Sequence, residues 1–382
     1  MNFFLLPKSN FKFNKNEINI VMDPNNDPYI CKTLHKYIND IKKQIDENYE
    51  YWDNVKKYTN PYEFIHTVIP NYKTSISKLK PLSRSYYKMI EISNLFKLVY
   101  ELKHVKNINT FHLAEGPGGF IEAIVDLRKN ENDNYYGMTL INDDPNVPGW
   151  KKSKHFLEKN KNVKIEYGIT ETGDLLDINN LKYCKEKYGN SMEIITGDGG
   201  FDFSCDFNKQ EAMASKLLFA QVSFCLCLQK INGYFILKVF DLFSKTSIDI
   251  LYLLSSLYKE VYILKPFSSR LANSEKYIVC KYYKGLTDKI YNNLLLEYEK
   301  LNEPNSISSI FDFEIDYYFI NKIEEFNAIF GQQQIENINQ TLNLIVSKNK
   351  NDKLENLKKT NIQKSIIWCQ KNNIFYNEVF TS

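Results

Sequence analysis

The chain has 382 residues, of which 43% are apolar and 25% charged, with a net charge of +3. This is the balance of a globular protein with one large domain or two modest ones, and it excludes a disordered, fibrous or membrane-embedded chain. The longest mostly apolar run, residues 217–228, is broken by Gln221 and Ser223 and falls short of the ~20 residues that cross a bilayer, so no membrane-spanning helix is expected. Residues 3–6 are too few for a secretion signal and stop at Pro7, and the seven cysteines are scattered without a CxxC pair. They read as core thiols in a reducing compartment, with no metal site.

In chain order, residues 1–59 carry loop chemistry at Asp23-Pro24-Asn25-Asn26-Asp27-Pro28 and then a helical stretch through Trp52, an N-terminal helical extension. Between Lys56 and Lys106 ten Lys or Arg stand against Glu63, Glu91 and Glu101, a surplus that suits a polyanionic partner, although a solvated helix face has the same composition. Residues 83–103 read as a helix. Strand-like runs follow at 110–114, 136–140, 163–167, 193–196, 233–239, 260–264 and 276–282. Helical spacing at 211–230 and 247–258 supplies crossovers. No helical pattern separates the last two strands, so the final one is expected to return antiparallel. The fold class is therefore α/β: a Rossmann-like, seven-stranded, mostly parallel sheet with an antiparallel last strand, here assigned to residues 60–285. Residues 286–382 form a mainly helical C-terminal extension with a break at Pro304.

Directly after the first strand comes Glu115-Gly116-Pro117-Gly118-Gly119-Phe120, and then a helix opens. Glycines let the backbone pass close to a ligand at the carboxyl edge of the sheet, where the helix amino terminus offers free N–H groups. A carboxylate at the head of the turn disfavours a pyrophosphate and favours a cationic, phosphate-free ligand. S-adenosylmethionine has that chemistry. Asp198 and Lys238 end the fourth and fifth strands, Glu275 begins the reversed last strand, and Lys88 lies near the start of the 83–103 helix. Topology brings all four to one edge, as a positioned transfer to a hydroxyl group would need. Taken singly, each is more often a strand-end salt bridge.

These residues resemble the FtsJ-like ribose 2'-O-methyltransferases, and within them the cap-specific mRNA type that makes cap 1. The resemblance rests on Asn60-Pro61-Tyr62-Glu63, the Lys88 helix, the Glu115–Phe120 turn, Tyr136-Gly137-Met138-Thr139-Leu140, Gly173-Asp174, Asp198-Gly199-Gly200-Phe201, Lys238-Val239-Phe240-Asp241-Leu242-Phe243, and Lys265-Pro266 through Ala272-Asn273-Ser274-Glu275-Lys276-Tyr277. It implies an S-adenosylmethionine-dependent methyltransferase fold with a catalytic Lys88, Asp198, Lys238 and Glu275. It further implies that Ser83, Glu115, Gly116, Pro117, Gly118, Gly119, Phe120 and Asp174 hold the cofactor, and that Lys56, Lys57, Asn208, Lys209, Gln210 and Asn273 contact the capped mRNA 5' end. Between Tyr62 and Lys88 the chain is longer than the family pattern, which leaves Trp52, Tyr58 and Tyr62 as candidates for stacking on the cap guanine. Methylation of the second cap nucleotide or of ribosomal or transfer RNA, and an idle RNA-binding accessory subunit, stand as alternatives. Further expectations are an intracellular location, in nucleus or cytoplasm, or in a viral factory or virion if the source is viral. The C-terminal extension is a candidate docking element for transcription or capping machinery, and no membrane partner is expected.

Overall fold

Successive residues along the central strands belong to different hydrophobic clusters: Ile195, Phe235 and Leu237 face one, Ile194, Tyr234 and Ile236 the other. Strands buried on both faces read as continuous apolar runs and need helices on each side. The structure, a computed structural model, describes residues 3–9, 17–24, 27–142, 144, 147–200, 209–347 and 350–380.

Strands β1 (Phe3–Leu5) and β2 (Val21–Asp23) precede helices α1 (Lys32–Glu47) and α2 (Tyr49–Thr59). Then come α3 (Ser85–Phe96), α4 (Leu98–Glu101), β3 (Asn109–Leu113), α5 (Gly119–Arg128), β4 (Asn134–Met138), α6 (Lys154–Lys159), β5 (Val163–Ile165) and α7 (Ile178–Tyr188). The second half holds β6 (Met192–Gly197), α8 (Gln210–Leu228), β7 (Gln229–Val239), α9 (Lys245–Leu257), β8 (Tyr258–Leu264) and β9 (Lys276–Tyr283). After these lie α10 (Asp288–Tyr298), β10 (Ser306–Ser309), α11 (Tyr317–Val346) and α12 (Lys350–Lys371).

The main sheet runs β1-β8-β9-β7-β6-β3-β4-β5. Neighbours from β7 through β5 are parallel, and β9 is antiparallel to both β7 and β8. The expected reversal of the last strand is present, with β9 inserted between its two partners. An eighth strand, β1, pairs antiparallel with β8; three residues are too few to show alternation. The N-terminal segment is thus not purely helical, since β2 also pairs with β10 just beyond Pro304. The single helix expected over 83–103 divides at Lys97, whose φ of 55° is left-handed, giving α3 and α4. Helix α8 is long and apolar enough by composition to cross a membrane, but most of that window is buried in the protein core. Of the described cysteines five are buried and Cys31 is half-buried, and all are free. No cluster of metal-ligating side chains occurs among the described residues.

The flanking segments pack onto the sheet-bearing core. Phe4 meets Phe326 and Phe330 of α11 edge-on, Asn337 donates to Thr59 O, and Asn361 donates to Tyr58 O. The Trp368 indole of α12 donates to Glu91 Oε2 at 3.0 Å. The chain end is tied to residues 75–78 by Lys78 N donating to Phe375 O and Asn377 N to Ile76 O, both at 2.9 Å.

Candidate active site

At the carboxyl edge of β6 and β7 the chain must turn, and charged side chains there reach a crevice instead of the core. Asp198 follows β6 and Lys238 is the penultimate residue of β7; Lys238 Nζ lies 3.2 Å from Asp198 Oδ1 and donates to Asp198 O at 2.6 Å. Reversal of β9 sets Tyr277 opposite Lys238, and Glu275, two residues earlier, shares its side of the sheet. Lys88, in the first turn of α3, meets Glu275 at 2.6 and 2.8 Å. Tyr277 joins the two ion pairs, since its hydroxyl donates to Asp198 Oδ1 at 3.2 Å and Lys88 Nζ lies 6.0 Å above its ring. The four charged groups expected from topology therefore meet on the α3 side of the sheet.

Burial alone would raise the Glu275 carboxyl, but Lys88 and then Lys238 hold it well below the usual carboxylate range. Burial lowers the Lys88 ammonium against the opposing pull of Glu275. Ser269 Oγ adds a hydrogen bond to Glu275 Oε1 at 3.0 Å, and Lys265 braces the loop by donating to Asn273 Oδ1, Asn273 O and Glu275 O. The loop before β9 is thus fixed at both ends of its charged tip.

The glycine turn lies beside this group. Ala114 has a φ of 52° and Gly118 of 104°, left-handed values that swing the backbone sharply between β3 and α5. A Cβ at Gly119 would collide with the hydroxyls of Ser83 and Ser85, and one at Gly116 with the backbone of Gly149, so the turn runs tight against both neighbours. Glu115 Oε1 accepts from Phe120 N at 2.6 Å, whereas its Oε2 is buried without a partner. Burial, and after it the charge of Asp198, push the Glu115 carboxyl well above its ordinary range. An unmatched buried acceptor calls for a donor or a cation. Ser83 Oγ bonds Ser85 Oγ at 2.5 Å at the edge of the turn. Asp174 is half-buried and follows Gly173, whose φ is 63° and where a Cβ would collide with Thr139 O just past β4. Apart from Ser83, which precedes α3, the residues expected to hold a cofactor lie past the ends of β3 and β5, on either side of β4.

The residues expected at the RNA end are more dispersed. Lys56 pairs with Asp53 at 2.5 Å and Lys57 is half-exposed, both on α2, and among the described residues no contact joins either to the four charged groups. Lys209 and Gln210 stand at the start of α8, which Glu211 fixes to the loop after β7 by accepting from Phe243 N and Ser244 N. Asn208 and Phe201 lie outside the described residues. Asn273 is a loop brace, as described above. Among the aromatics, Trp52 is core, packed with Ile41 and Ile338, and Tyr58 turns its edge to Phe64. Tyr62 packs against Phe267, centroids 5.2 Å apart, at a cavity of about 250 Å³ also lined by Pro266 and Leu271. Sequence reading placed Tyr277 in a motif but gave it no role, although its place two residues after Glu275 on a strand was the available signal.

The FtsJ-like methyltransferase family matches residues 81–283, more than half of the chain. A Drosophila melanogaster protein named cap-specific mRNA (nucleoside-2'-O-)-methyltransferase 1 is 31% identical over 58% of this chain and 29% of its own length. One of that name from Mus musculus is 28% identical over 70% of this chain and 32% of its own. A Danio rerio cap-specific mRNA (nucleoside-2'-O-)-methyltransferase 2 is 26% identical over 89% of this chain and 47% of its own. The chain thus spans between about a quarter and a half of these curated relatives.

Proposed function

The chain belongs to the FtsJ-like methyltransferase family, and from that premise we propose that it transfers a methyl group from S-adenosylmethionine to the ribose 2'-oxygen of the first transcribed nucleotide of capped mRNA. The observation that carries the reading is the meeting of Lys88, Asp198, Lys238 and Glu275 beside an unsatisfied Glu115. The capped substrate is suggested by the printed names of the relatives.

S-adenosylmethionine, when bound, supplies an electrophilic methyl on a sulfonium sulfur. Glu115 would meet its positive charge, Gly116 to Phe120 would let it lie against the backbone, and Ser83 and Asp174 would flank it. Lys238 donates one hydrogen bond to Asp198 O and lies within ion-pair distance of its Oδ1, which leaves donor capacity for the ribose hydroxyl. In its charged form Lys238 orients that oxygen's lone pair; in its neutral form it takes the hydroxyl proton. Lys88 and Glu275, paired at 2.6 Å, hold the opposite wall and tune the field at Lys238. The hydroxyl oxygen is thereby fixed before it reacts, which is the larger part of what such a site must do.

The test is methyl transfer to m7GpppN-RNA, GpppN-RNA and uncapped RNA, with the modified nucleotide mapped. Transfer to the first nucleotide of the capped RNAs alone is expected. Modification of the second nucleotide, or equal transfer to uncapped RNA, would assign the substrate to one of the alternatives, and no turnover at all would point to an accessory subunit.

A further inference from the structure

A cavity of about 620 Å³ opens beside the first turn of α3, lined by Lys73, Lys78, Lys80, Ser83, Arg84 and Arg270 among others, with no carboxylate among the described lining residues. We propose that it is the subsite for the RNA phosphodiester chain leading away from the methylated ribose. The proposal rests on the functional reading above and adds a binding site to it.

Three observations point there. First, the cations are unequally matched. Glu63 neutralises Arg270 through two hydrogen bonds at 2.9 and 2.6 Å, and Lys78 reaches the exposed Glu378 only at 3.9 Å. Exposed Lys73 and Lys80 form no ion pair among the described residues. Second, Arg84 donates to Ser268 O at 3.3 Å, but its Nε is buried without a partner. A fixed guanidinium with an unmet buried donor is suited to an anionic oxygen. Third, Arg84 stands one turn before Lys88 on the same helix, so whatever occupies the cavity adjoins the catalytic crevice.

The wall is preformed, because residues 75–78 pair with the chain end: Ser77 bridges to Tyr376, and Asn377 Nδ2 donates to Ser75 O at 2.9 Å. A groove ordered in advance loses little entropy on binding. The aromatic cavity at Tyr62 and Phe267 offers stacking surface for a base, whereas the cationic one offers charge along a path, and single-stranded RNA needs both.

The experiment compares equilibrium binding of capped RNAs of two and about ten nucleotides to the full chain and to a Lys73→Ala/Lys80→Ala variant, over a range of salt. The wild-type chain should bind the longer RNA ~10-fold or more tightly than the shorter, and the variant should lose most of that gain while binding the dinucleotide equally well. With ~0.7 counterions released per phosphate contact on single strands, its log–log salt slope for the longer RNA should fall by about 1.4. Absence of a length gain in the wild-type chain, the same gain in the variant, or an equal loss on both lengths would overturn the proposal. Because the readout is binding, its failure is separate from that of the functional reading. A chain that binds long RNA through this cavity but methylates none contradicts the reading alone.

Discussion

Two clusters of lysine and carboxylate sit at the same sheet edge, and one of them lies beside an unmet buried carboxylate oxygen. Asp241, just beyond β7, receives Lys42 Nζ at 3.1 Å, Lys276 Nζ at 3.2 Å and Ser274 Oγ at 2.8 Å. Lys276 also donates to Phe240 O and Ser274 O, and Lys42 to Ser274 Oγ. Burial of these side chains, 9%, 10% and 5% exposed, differs little from that of Lys88, Glu275, Lys238 and Asp198 at 7%, 14%, 14% and 16%. Exposure therefore does not separate chemistry from scaffold. The carboxylates do: Asp241 accepts three hydrogen bonds that tie α1 to the sheet, whereas Glu115, beside the Lys238 group, keeps a buried oxygen unmet. Glu275 and Lys276 are adjacent on the entry to β9, and strand alternation sends one to each cluster.

This contrast can be broken most sharply by rate. Lys238→Ala is expected to lower kcat for methyl transfer by ~10³-fold or more while S-adenosylmethionine binding, followed by calorimetry, persists; an active variant would remove the catalytic assignment. Asp241→Ala should act on the fold instead. It strands two buried ammonium groups, so a loss of about 3–5 kcal/mol in urea unfolding is expected, and stability near wild type would mean that the cluster is not a structural tie. Tyr277→Phe removes only one hydroxyl donor from Asp198. A fall in kcat of about tenfold with an unchanged melting temperature is expected, and a pure stability loss would class Tyr277 with the scaffold.

The smallest effect concerns acid. Burial holds His112 at about 3, and its ring nitrogens meet Thr110 and Thr196 at 2.8 Å. The unfolded histidine takes a proton below about 6.5, which the folded one refuses until about 3. Its contribution to stability is therefore whole above pH 6.5 and is lost as pH falls through that window, by up to ~1.4 kcal/mol per unit. Unfolding of wild type and His112→Asn between pH 7.5 and 5.5 isolates this slope, because all other groups titrate in both; identical slopes would contradict it.

Much of the site was legible because strand ends and one reversal suffice to gather Asp198, Lys238 and Glu275, and because α3 must run opposite to the strand it feeds. The glycine turn between β3 and α5, expected to hold a cofactor, was readable from its composition. What sequence did not disclose depends on contacts between remote segments. The wall of the cationic cavity needs residues 75–78 to meet residues 375–377, some 300 positions apart. The brace of Asn273 by Lys265 and the pairing of Glu63 with Arg270 likewise follow from how loops fold back, which local periodicity does not encode. Strand β1 is too short for a pattern, and the division at Lys97 needs a backbone angle that no neighbouring residue type announces.

The central claim is that one ribose hydroxyl is the acceptor held by Lys238. Capped RNA with a 2'-hydroxyl at the first transcribed nucleotide and its 2'-deoxy counterpart, offered with labelled S-adenosylmethionine, test it directly. Incorporation into the first and none into the second is the predicted result, and equal labelling of both would contradict the account.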